Sequence, residues 1–162
     1  MGVIDRMKKH FISTIFLYTV FALFAQTAAE LDTILETKAV TTAMAARFAL
    51  GSADLLPQDL SGSMAETAAY DMAKSKGWIT TEAGEAITLK DTAFLVMSAF
   101  DVKGGVMYKF LPGPRYAYRE MVYRKLIQGR ADPDMIVSGE RFLHIIGRTL
   151  DYVGSLESGD NQ

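Results

Sequence analysis

With 162 residues, 17 basic and 19 acidic side chains and a formal charge of −2, the chain is long enough for one domain of ordinary size. Its acidic balance argues against generic nucleic-acid binding, and the absence of cysteine excludes both a lipoprotein anchor and a disulfide framework.

The first elements in chain order read as a targeting segment. Arg6, Lys8 and Lys9 form a short basic start, "FISTIFLYTVFALFA" is an uncharged apolar run, and "QTAA" supplies small residues before Glu30. An apolar run of this length is shorter than the roughly 20 residues that cross a bilayer, so residues 1–29 are expected to be a cleaved secretory signal peptide. The product would be exported, periplasmic or otherwise associated with the cell envelope. If the segment stays uncleaved, it would instead anchor the same domain to the membrane, the one route to membrane contact foreseen here. Without residues 1–29 the chain holds 14 bases and 18 acids.

The remainder divides into a helical domain over 30–154 and a frayed tail over 155–162. Three segments of the domain align without gaps: "VTTAMAARFALGSA" from Val40, "ITLKDTAFLVMSAF" from Ile87 and "VSGERFLHIIGRTL" from Val137. Each opens on a β-branched apolar residue followed by Thr41, Thr88 or Ser138, where a hydroxyl can cap a helix by accepting from an unpaired backbone N–H. Asp91 and Glu140 then meet the positive end of the helix dipole. The apolar residues that follow recur at helical spacing.

A second helix precedes each of the later copies. "MAETAAYDMAKSKGWI" is expected to stop at Gly77, and "RYAYREMVYRKLIQGR" at Gly129. The first copy has only the poorly patterned "ELDTILETK" before it. Between the two full units, "DVKGGVMYKFLPGP" breaks the preceding helix at Gly104 and Gly105 and turns at Pro112, Gly113 and Pro114. Val106, Met107, Phe110 and Leu111 are too apolar for a free linker, so this connector is expected to pack onto the core. No alternating strand pattern occurs, and the fold class is all-α: about two and a half helix-turn-helix units in one compact domain.

A helix, "GWI", a loop and then "ITLKDTAFLVMSAF" resembles one S-layer homology repeat, with its Gly-Ile turn and "ITRAE"-type capped helix. The likeness covers residues 64–100, extends more loosely over 115–150, and includes 37–53 as a half unit. It implies a compact helical arrangement, usually of three repeats, that holds anionic cell-wall glycans without catalysis or a cofactor. The chain departs from the pattern in four places: "TTEAGEA" fills a loop that is longer in the family, Lys90 is displaced by one position, Glu140 and Arg141 are transposed, and the leading Phe-x-Asp is missing. If three units must close the core, two and a half leave an apolar face and point to a homodimer.

Chemistry-bearing residues concentrate in one stretch. From Lys103 to Arg130 there are seven bases and a single acid, Glu120. On a helix beginning at Arg115, the residues Tyr116, Arg119, Tyr123 and Arg124 gather toward one side. Arginine can fork onto a carboxylate or phosphate, and tyrosine can stack on a sugar. This face reads either as a docking site for peptidoglycan, another anionic glycan or an acidic envelope protein, or as the solvated side of an amphipathic helix. Trp78 reads either as a carbohydrate platform or as a plug between units. His144 lacks neighbours at metal-ligand spacing, and Asp132 and Asp134 flank Pro133 in a turn. No cofactor motif and no catalytic set is expected. The leading expectation is an envelope protein that attaches to a cell-wall glycan; the alternative is a periplasmic adaptor that docks an outer-membrane or motility component.

Overall fold

The computed structural model describes residues 29–57, 59–130 and 132–159. The proposed signal segment therefore lies outside the described residues, except for Ala29. The chain divides into two units, Met1–Ile34 and Leu35–Gln162.

The described chain is all-helical. Helix α1 covers residues 29–36, and it is followed by α2 (Thr42–Ser52), α3 (Gly62–Ser75), α4 (Leu89–Ala99), α5 (Val106–Phe110), α6 (Pro114–Tyr123) and α7 (Gly139–Gly159). Among the described residues there is no strand, only two isolated bridges, Thr41 with Ala86 and Thr88 with Ile136.

The three aligned openings meet around a ring of backbone hydrogen bonds. Val40 N–H donates to the Val137 carbonyl at 2.9 Å, Val137 N–H to Ile87 at 3.2 Å, and Ile87 N–H to Val40 at 2.9 Å. All three side chains are completely buried. The first turn of each capped helix then receives carbonyls from the chain that leads into the next opening: Glu85 and Ala83 for α2, Met135 and Pro133 for α4, and Thr37 for α7. Helix N-termini leave backbone donors without intrahelical partners, and here neighbouring segments supply the acceptors. "TTEAGEA" is thus a capping loop for α2, fixed further by Thr42 Oγ1, which shares a hydrogen bond with Thr81 and donates to the Glu85 carbonyl.

All three expected caps are present. Thr41 Oγ1 accepts from Met44 N, Thr88 Oγ1 from Asp91 N and Ser138 Oγ from Arg141 N. The core lies against these helices: Ala45, Ala49 and Leu50 from α2, Leu95, Val96 and Met97 from α4, and Phe142, Ile145 and Ile146 from α7. Each leading helix packs chiefly on the capped helix before it, α3 on α2 and α6 on α4. Ring closure uses three segments of one chain, and each opening bonds to the other two.

The structure corrects two expectations. Helix α6 ends at Tyr123, not near Gly129: Lys125 takes a left-handed φ of 60° and the Leu126 N–H returns to the Met121 carbonyl at 2.9 Å. This is the turn made at Gly77, where φ is 70° and Trp78 N–H returns to Ala73. Leaving the helix there buries Leu126 and Ile127, as the earlier turn buries Ile79, and that burial overrides the preference for glycine. The connector buries Val102 at its root but leaves Val106, Met107, Phe110 and Leu111 exposed, and α5 has no buried residue. Residues 155–159 belong to α7, with Ser155 Oγ and Ser158 Oγ donating to the Tyr152 and Gly154 carbonyls.

Candidate functional site

Helix α6 is built to show one side to solvent. Pro114 at its first position has no N–H to leave unpaired and a φ already suited to the helix. Ala117 and Met121, four residues apart, are buried and turn the opposite row outward. Arg115, Arg119 and Tyr123 occupy that row at intervals of four, and all three are exposed, Tyr123 at 84%. Tyr116 is half-buried beside them. Ion pairs among the described residues join Lys74 with Glu82, Lys90 with Asp134, Lys103 with Asp101 and Arg124 with Glu120; Arg115, Arg119, Lys109, Lys125 and Arg130 take part in none of these.

Arg124 does not share that freedom. Its Nε donates to Glu120 Oε1 at 2.7 Å, its Nη2 to the Lys103 carbonyl at 2.6 Å, and its Nη1 to the Tyr152 hydroxyl, while the guanidinium lies 5.1 Å from the Tyr152 ring centroid. The side chain therefore ties α6, the root of the connector and α7 together. Burial alone would raise the Glu120 pKa, but the Gly105 N–H, the hydrogen bond from Arg124 and the guanidinium charge outweigh it and hold the carboxyl below its ordinary value.

Two further residues matter that the sequence did not single out. Arg141 clamps the turn after α6: Nη2 donates to the carbonyls of Gln128, at 3.1 Å, and Arg130, at 2.6 Å, and Nη1 contacts Met135 sulfur at 3.1 Å. Tyr108 sits edge-on to Phe94, with ring centroids 6.4 Å apart and an interplanar angle of 72°. The signal for Arg141 was its transposition with Glu140; for Tyr108 it was the adjacent glycine pair.

Trp78 is separate from the α6 row. It is half-buried just after the Gly77 turn, and the Lys76 ammonium lies 5.1 Å from its ring centroid. On the same side of the sequence, the Lys74 pKa is raised by the Tyr70 hydroxyl and then by Glu82. His144 is exposed, and among the described residues no group of three or more His, Cys, Asp or Glu could hold a metal ion. No described helix is long and apolar enough to cross a membrane. Comparison with family models, with curated proteins and with solved structures finds no match to this chain.

Proposed function

We propose that this chain is a non-enzymatic, exported protein of the cell envelope that attaches to or positions peptidoglycan or a related anionic cell-wall glycan. The observation that carries the reading is the outward row Arg115, Arg119 and Tyr123, where two guanidinium groups outside any ion pair of the described residues share an exposed row with an exposed ring. Guanidinium forks suit the carboxylates of such a glycan, and the Tyr123 ring offers a stacking surface. The resemblance of "GWI" and "ITLKDTAFLVMSAF" to S-layer homology repeats supports the same class of ligand. Arg124, with its donors already committed, serves this face by fixing α6 and not by touching ligand.

The test is cosedimentation of the purified protein with protein-free sacculi across a salt series. Binding should fade as salt screens the charges, and Arg115→Glu with Arg119→Glu should lower the bound fraction at low salt about tenfold without loss of helicity. Undiminished binding by that variant would remove the site assignment. Capture of one stoichiometric envelope protein, with no affinity for sacculi, would move the reading to a periplasmic adaptor.

A further inference from the structure

Among the described residues, the largest run of exposed apolar side chains lies on the connector. Val106, Met107, Phe110 and Leu111 are 68%, 62%, 76% and 58% exposed and fall within six consecutive positions. Contiguous exposed apolar surface is costly in water and marks a place that something covers.

The segment is nevertheless firmly rooted. Tyr108 lies over Gly104 so closely that a Cβ there would meet the ring at 2.4 Å, and it packs on Phe94. Glu120 accepts from the Gly105 N–H, and Arg124 holds the Lys103 carbonyl. Only Tyr108 turns inward; its burial pushes the phenol pKa up, as expected for a ring withdrawn from water.

The charges near the segment that stand outside ion pairs are basic. Lys109 within α5 and Arg115 just beyond it are exposed and stand outside the ion pairs of the described residues. The nearest acids in sequence are already neutralised: Asp101 by Lys103, and Glu120 by Arg124. A two-fold pairing of this patch with a second copy would set Lys109 and Arg115 against their own equivalents, which like-charge repulsion disfavours. Apolar side chains ringed by unpaired bases suit a surface that is apolar within and anionic at its edge.

We infer that α5 and its flanking bases form a docking tip for an anionic phospholipid bilayer, with Val106, Met107, Phe110 and Leu111 entering the acyl boundary and Lys109 and Arg115 meeting the phosphates. This contact shares Arg115 with the α6 row, whereas Lys109 and the four apolar residues lie outside it and test the lipid contact separately.

The chain has no cysteine, so Met107→Cys can carry a single environment-sensitive fluorophore in the full protein. Vesicles containing phosphatidylglycerol should blue-shift its emission and shield it from iodide, whereas phosphatidylcholine vesicles should not. Lys109→Glu should weaken the response by at least about fivefold, the effect of one base near an anionic surface. Phe110→Asp, at a position already in solvent, should abolish it with helicity intact. The same label on Ser63→Cys in α3 should stay unshifted. No shift at 107 with anionic vesicles would overturn the inference. So would an equal shift at 63, which means entry through another segment, or a lipid-independent shift that grows with protein concentration, which means a second copy covers the patch.

Discussion

At the scale of single residues, Arg124 shows how a basic side chain in a basic stretch can be structural. Its side chain is one-fifth exposed, as is that of Glu120 at 17%, so water screens the pair less than it screens the pairs at the surface. Arg124→Ala leaves Glu120 with one partner fewer and frees the Lys103 carbonyl, and should lower unfolding free energy by about 2 kcal/mol. Arg124→Lys should recover less than half of that, because one ammonium cannot reproduce a planar fork on separate acceptors. Denaturant titration of the two variants measures both. The Glu120 carboxyl has a folded pKa below its unfolded value near 4.5. Its contribution is therefore complete above that value and is lost as pH falls through the lower folded pKa. Glu120→Gln should flatten that part of the stability curve below pH 4.5 while lowering stability at neutral pH. An acid limb of unchanged slope would show that the stabilising hydrogen bonds do not form.

At the scale of elements, what was legible followed from local chemistry. The caps at Thr41, Thr88 and Ser138 could be read because a hydroxyl before a periodic apolar run has one favourable use, and all three make that bond. The end of α6 could not be read, since glycine is the sequence signal for a left-handed stop and Lys125 occupies that place. Asp54 and Asp101 end α2 and α4 in the same way, with φ of 54° and 49°. They stand at the same offset after their openings, Val40 and Ile87, and neither was foreseen as a stop. The connector was misread because apolar content signals burial only when another surface is available, and here the Gly104–Tyr108 contact fixes the segment before its other side chains reach one. The candidate row on α6 was legible as residues but not as a set, because the accessibility of Arg119 and the confinement of Arg124 depend on partners far away in sequence. The strained stop at Lys125 leads to a prediction: Lys125→Gly should stabilise the protein by about 0.5–1 kcal/mol, the left-handed penalty relieved less the backbone entropy added. Asp101→Gly should give a smaller gain, because aspartate tolerates this conformation better. Gly77→Ala should cost about 1 kcal/mol, although nothing lies within 4 Å of the added methyl, because φ there is 70°. Melting temperatures of the three variants should fall in that order.

At the scale of the molecule, the ring decides how the unit Leu35–Gln162 should come apart. In an open stack each repeat touches only its neighbours and can fray from an end. Here the last opening donates to the second and accepts from the first, so no opening is terminal. The ring amides of Val40, Ile87 and Val137 lie outside the helices and would ordinarily exchange with solvent quickly, yet each is buried and bonded to the next. Their exchange should therefore require opening of the whole unit, and all three should report the same free energy, equal to that of global unfolding and on the order of 5–10 kcal/mol. Ile87→Ala removes buried side-chain volume at the ring and should lower that value by about 3 kcal/mol at Val40 and Val137 alike. Native-state hydrogen exchange across a low-denaturant series tests this directly. If Val137 opened at much lower free energy than Val40, the α6–α7 segment would be detaching by itself and the ring would be a packing arrangement without cooperative consequence. Equal protection, falling together in Ile87→Ala, would mean that three short loops, each bonded through its backbone to the next, make one cooperative body of the helices they introduce.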